Sequence, residues 1–181
     1  MSAARKVLLV THTRRLEALS AALETCQKLV AAGITPVMLA ADHSELLAYS
    51  LETSVSLGAL PAQIELLERE CSLSELEVAM VLGGDGTILK AAEIVREAEV
   101  PLIGINLGHV GFLAESERDG LSEAVERVVA KDYVVKERMT LDVRVFVEGT
   151  EVFQTWALNE ATVEKSERER MLEVVVEVEE H

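Results

Sequence analysis

Apolar residues along the first part of the chain switch between two spacings. "KVLLV" (6–10) is a short unbroken apolar run, which predicts a buried strand. From about Arg14 to Ala32 the positions Leu16, Leu19, Leu23, Cys26, Leu29 and Val30 recur at helical spacing, and Gly33 reads as the stop of that helix. "ITPVMLA" (34–40) predicts a second strand, with Pro36 at its start or on a sheet edge. Residues 42–76 carry a weaker signal, in which "SELLAYSLE" and "PAQIELLEREC" read as short helices around a loop. "EVAMVLG" (77–83) predicts a third strand, followed by a helix through about Glu97, and "VPLIGIN" (100–106) a fourth. A looping "LGHVGFLAE" and an amphipathic helix near 119–131 complete this part. Strand and helix in alternation predict an α/β unit over residues 1–137, an open, mostly parallel sheet with helices on its faces.

After about residue 138 the period becomes two. Leu141, Val143, Val145 and Val147 alternate with mostly polar neighbours, and "LDVRVFVEGTEVFQTWALNEATVEK" reads as two strands joined near Glu148–Glu151. Leu172, Val174, Val176 and Val178 repeat the alternation, while "EKSERER" (164–170) between them is loop-like. Residues 138–181 therefore predict the first strands of an antiparallel, all-β domain with one wet face. Three strands do not make an independent core, and the sequence stops directly after one. The expectation is a fragment, or strands that pack on something outside it.

Composition narrows the chemistry. With 49% apolar but only 3% aromatic residues, the core must be aliphatic. A net charge of −15 argues against nucleic acid or an anionic membrane as partner, but leaves room for small anions held by a local cluster of donors. Cys26 and Cys71 show no metal-ligand spacing and read as reduced thiols of a cytoplasmic protein. The apolar start "KVLLV" is too short for a signal peptide, and the longest uncharged run, 100–114, is too short for a membrane helix.

The stretch with most chemical content is "VLGGDGTILKAAEIV" (81–95). Gly83, Gly84 and Gly86 let backbone amides approach a ligand with no Cβ in the way, and the following helix offers the positive end of its dipole. Thr87 adds a hydroxyl. Such a turn suits a phosphate or a ribose edge. Asp85 then has two chemical uses: holding a divalent cation that bridges phosphates, or accepting the proton of an attacking hydroxyl. Read locally, it is equally a turn or cap residue. The turn is neither a Walker A loop nor a GxGxxG fingerprint, because the lysine-serine ending and the glycine spacing differ.

Together with "PLIGINLGHVGFLAE" (101–115), "RMTLDV" (138–143) and "WALNE" (156–160), the GGDGT segment resembles the NAD kinase family, in the wording of its actinobacterial members. The likeness covers essentially the whole chain. It implies transfer of the terminal phosphate of ATP, or of polyphosphate, to the 2′-hydroxyl of the adenosine ribose of NAD, with a divalent cation, Mg or Mn. It implies Asp85 as proton acceptor, and Gly83, Gly84, Gly86, Thr87, Lys90, Asn159, Glu160 and Arg170 as ligand contacts. It also implies a homo-oligomer, dimer or tetramer. Physically, carboxylates such as Asp85 and Glu160 suit ribose hydroxyls, Asn159 suits a purine edge, and Lys90 and Arg170 offset phosphate charge. Taken singly, Lys90 reads as a solvated helix face, Arg170 as part of an exposed charged loop, and Asn159–Glu160 as a strand end. Asn106 and His109 are expected to border the site, Asn106 as support for a turn and His109 without a catalytic role; His12 reads as an ordinary loop histidine, Trp156 as core, and Phe112 either closes over a nucleotide or packs. Family members carry a further glycine- and threonine-rich segment that these residues lack. GGDGT also occurs in lipid and sugar-phosphate kinases, so such a kinase is the alternative, as is a non-catalytic nucleotide-binding or assembly module for the chain alone.

Overall fold

A computed structural model of the chain describes residues 4–107, 116–117, 120–164 and 173–178. The chain divides into two compact units, Met1–Val135 and Lys136–His181.

The first unit is built on β1 (Lys6–Thr11), β2 (Thr35–Met38), β3 (Glu65–Leu66), β4 (Val78–Leu82), β5 (Leu102–Asn106) and β6 (Ser116–Glu117). All five neighbouring pairs are parallel, in the order β3-β2-β1-β4-β5-β6. The helices are α1 (Leu16–Ala31), α2 (Ala40–Leu57), α3 (Asp85–Val95) and α4 (Leu121–Ala130). Burial on both faces explains why the central strands read as unbroken apolar runs. Along β1, Val7 and Leu9 point into one cluster with Met80, Leu82, Ile105 and the helices α1 and α4. Leu8 and Val10 point the other way, with Ala79, Val81 and Ile88, Ala91 and Val95 of α3.

Local chemistry ends the elements where it was expected to. Gly33, at φ 73°, closes α1: its amide bonds Val30 O and the Ile34 amide bonds Leu29 O, both at 2.9 Å. Pro36 sits where β2 is still an edge, since β3 pairs only Val37 and Met38. Two expectations are corrected. Leu16 opens α1 but is exposed; Ala18, Ala21 and Ala22 share the buried face instead. "PAQIELLEREC" is not a helix. It adds β3 to the sheet and then turns at Glu68, whose φ of 64° no α-helix accommodates. Residues 44–52 do lie in a helix, but in the interior of the longer α2.

In the second unit β7 (Leu141–Val147) pairs antiparallel with β8 (Thr150–Ala157), with a bulge between Val145 and Phe146. Glu148 and Gly149, both at positive φ, make the two-residue turn that suits a right-twisted hairpin. Both faces of this hairpin are largely exposed, so its alternation marks no buried face among the described residues. Residues 173–178 are not a strand, contrary to the expectation over 172–178. Alternation only supplies faces; a strand also needs a hydrogen-bonded neighbour, and none pairs with these residues among those described.

Candidate active site

The strand order reverses between β1 and β4. The chain lays β2 and β3 to one side of β1, then returns to place β4 on its other side. In open parallel sheets the crevice beyond the carboxyl ends of the strands at such a point is where ligands sit. A cleft of about 540 Å³ lies there, lined by Thr11 at the end of β1, by His12, Thr13, Arg14 and Arg15 after it, and by Gly84, Asp85, Gly86, Thr87 and Lys90 after β4. The two strand ends are held in register, with the His12 amide bonding Leu82 O at 3.1 Å and the Gly83 amide bonding Ile105 O at 3.1 Å.

The three glycines have different jobs. A Cβ on Gly83 would stand 2.5 Å from Thr87 Oγ1 and 2.9 Å from Thr87 Cβ, so this glycine lets the first turn of α3 fold back onto the end of β4. Gly83 itself is buried and is not among the residues that line the cleft. A Cβ on Gly84 or Gly86 would meet nothing within 4 Å, and both residues line the cleft. Their missing side chains leave open the space a ligand would take. None of the three needs a left-handed backbone.

Asp85 is the first residue of α3, with Gly84 as N-cap. The cap itself is therefore not the carboxylate, as a purely local reading allowed. A negative charge in the first helical turn meets the positive end of the helix dipole, which explains how an acid is tolerated in this turn. Asp85 is partly exposed and lines the cleft. Thr87 is buried against Gly83 and reaches the same wall.

Lys90, one turn further on, also reaches the cleft, but it is not a free solvated side chain. Its Nζ lies 3.1 Å from Asp42 Oδ1 and 3.5 Å from Oδ2, and the Asp42 side chain is only 4% exposed. Asp42 comes from the first turn of α2, 48 residues earlier, so the pair fixes Lys90 at the edge of the site. Asn159 and Glu160 follow β8 and are exposed. They belong to the second unit. Arg170, His109 and Phe112 lie outside the described residues. Asn106 ends β5 and is buried, and Trp156 on β8 is half-buried.

Sequence reasoning missed the β1 side of the cleft. "THTRR" (11–15) was visible as a polar, basic link between a strand and a helix. Only the strand order, however, places it opposite GGDGT. Asp42 gave no signal of its own. An ion cluster lies away from the site: the Arg5 guanidinium bonds both oxygens of Glu77 at 2.6 and 2.7 Å and holds that carboxyl down at about 2. Both cysteines are free and buried, and burial pushes the Cys26 thiol up to about 12. No group of three or more acids, histidines and cysteines is placed to hold a metal among the described residues, and no described helix is long and apolar enough to cross a membrane.

Residues 7–133 match the family model for the ATP-NAD kinase N-terminal domain. The chain is 54% identical to the NAD kinase of Leifsonia xyli subsp. xyli over 179 residues, which is 98% of the chain and 56% of that protein. It is 49% identical to the NAD kinase of Thermobifida fusca, over 96% of the chain and 52% of that protein. The chain thus spans about half the length of the curated relatives it matches. Yeast NADH kinase, solved in complex with NADH, shares the fold with a TM-score of 0.60 over 85% of this chain and 46% of its own, at 15% identity. With the family model matching well over half of the residues and relatives of this closeness, the chain belongs to the NAD kinase family.

Proposed function

We propose that the full-length protein carrying this chain phosphorylates NAD at the 2′-hydroxyl of its adenosine ribose, taking the terminal phosphate of ATP or of polyphosphate. The observation that carries this reading is the place of Asp85. It is a carboxylate in the first turn of a helix, on the wall of a cleft at the switch point of a parallel sheet, between two glycines that leave ligand space. The 2′-oxygen attacks the terminal phosphorus and its proton passes to the Asp85 carboxylate. The bond from that phosphorus to the bridging oxygen breaks, and ADP leaves with the bonding pair.

Gly84 and Gly86 leave room for the sugar and phosphates, Thr87 offers a hydroxyl, and Lys90 a positive charge held by Asp42. Gly83 supports the turn from behind. Asn159, Glu160 and Arg170 are proposed contacts to NAD. A carboxylate and an imidazole, Asp85 and His12, face a cleft that lacks a three-ligand cage among its described residues. That donor set fits a divalent cation, Mg or Mn, delivered on the donor's phosphates better than a resident one. When bound, such a cation would supply positive charge against the donor's phosphates, with Asp85 and His12 as the residues placed to reach it. The reduced, buried cysteines fit a cytoplasmic protein, and assembly as a homodimer or homotetramer completes the proposal.

The test is a substrate panel with the full-length protein and labelled ATP. Label on NAD, released as phosphate by a 2′-nucleotidase, is expected. Label on diacylglycerol or a hexose phosphate, with none on NAD, would replace this reading by that of another GGDGT kinase.

A further inference from the structure

The cleft holds positive charge that the roles above leave unused. Arg14 and Arg15 lie between β1 and α1, are exposed, and line the same cleft as Asp85. Most other described basic residues of the unit are paired: Arg5 and Lys131 with Glu77, Lys6 with Glu65 and Glu75, Lys28 with Glu24, Lys90 with Asp42, Arg96 with Glu97, Arg127 with Glu123; Arg69 is the exception and does not line the cleft. Among the described residues neither Arg14 nor Arg15 has an acidic partner. In a chain with 32 acids, two adjacent unpaired guanidiniums facing a cleft suit an anion that is not the protein's own. The loop is also shaped. Thr11 Oγ1 donates to Ala18 O at 3.2 Å, and the Arg15 amide donates to His12 O at 3.2 Å. Beside it, the buried His12 Nδ1 has no hydrogen-bond partner.

We infer that Arg14 and Arg15 hold the oligophosphate tail of the phosphoryl donor. This rests on the proposed kinase activity and divides its labour. The β4–α3 turn carries the acid and serves the hydroxyl that loses a proton. The β1–α1 loop, across the cleft, attracts the donor's phosphates and brings their end to the same point. The donor's charged tail is thereby held from the wall opposite the acid.

NAD carries a pyrophosphate of the same chemistry, so the test separates the two sources. In the full-length protein, Arg14→Gln/Arg15→Gln, which alters only exposed side chains, keeps the melting midpoint. The expected result is a KM for ATP raised about tenfold or more, with the KM for NAD within about twofold of wild type. Calorimetric affinity for inorganic tripolyphosphate falls by the same factor, and Arg14→Lys/Arg15→Lys restores part of both losses. An unchanged KM for ATP overturns the inference while leaving the kinase reading intact. A raised KM for NAD with an unchanged KM for ATP also overturns it and assigns the loop to NAD. If the wild-type protein transfers no phosphate to NAD, the kinase reading fails, and tripolyphosphate decides alone. Binding lost in the glutamine variant sustains an oligophosphate clamp; equal binding refutes it.

Discussion

Glu77→Gln removes one charge from the end of the sheet opposite the cleft, where β4 begins. The Arg5 guanidinium grips both Glu77 oxygens and donates to the carbonyls of Val128 and Val129 at 2.7 Å each, tying β1, β4 and the end of α4 together. The Tyr133 hydroxyl and Lys131 Nζ approach the same carboxylate at 3.2 and 3.3 Å. The hydrogen bond from Arg5 is the largest cause that lowers the carboxyl from 4.5 to about 2. At 1.36 kcal/mol per unit this corresponds to about 3 kcal/mol at most, and to roughly 1–3 kcal/mol after solvent screening. Because the folded-state value is depressed, the contribution is fully present above 4.5 and is lost as pH falls toward 2. Urea denaturation of wild type and Glu77→Gln should differ by roughly 1–3 kcal/mol near neutrality and by about half as much near pH 3. Other carboxylates act equally in both proteins, so the difference isolates Glu77. Equal stabilities near neutrality, or a gap that does not shrink in acid, would refute the reasoning.

The glycines of the turn should separate. Gly83→Ala drives a Cβ into Thr87 and should cost about 1–3 kcal/mol in denaturation experiments. Gly86→Ala meets open space in a helical turn and should leave stability equal or raised by about 0.5–1 kcal/mol, while kinase turnover of the full-length protein falls. Lys90→Met leaves the buried Asp42 without its cation and should cost about 1–3 kcal/mol, whereas Lys90→Met/Asp42→Leu should recover most of that loss.

The sheet was legible because its central strands are buried on both faces and so appear as "KVLLV" and "EVAMVLG", uninterrupted by charge. The end of α1 was legible because Gly33 takes a conformation other residues resist. The 61–71 segment was not. Its apolar spacing allows a helix, but edge pairing with β2 and the left-handed Glu68 decide otherwise. The acid-bearing wall of the site was readable from three glycines and an aspartate. The basic wall was not, because "THTRR" becomes a neighbour of GGDGT only when β1 and β4 pair, with Thr11 opposite Leu82. The Asp42–Lys90 pair was hidden for the same reason: its partners meet only through tertiary structure.

Everything proposed for the chemistry converges on one carboxylate. Asp85→Asn in the full-length protein keeps the shape of the turn and removes the proton acceptor. With NAD and ATP as substrates, NADP formation should fall at least about 100-fold in kcat, with the melting midpoint retained. Turnover within a few-fold of wild type would contradict the assignment of Asp85 as the base.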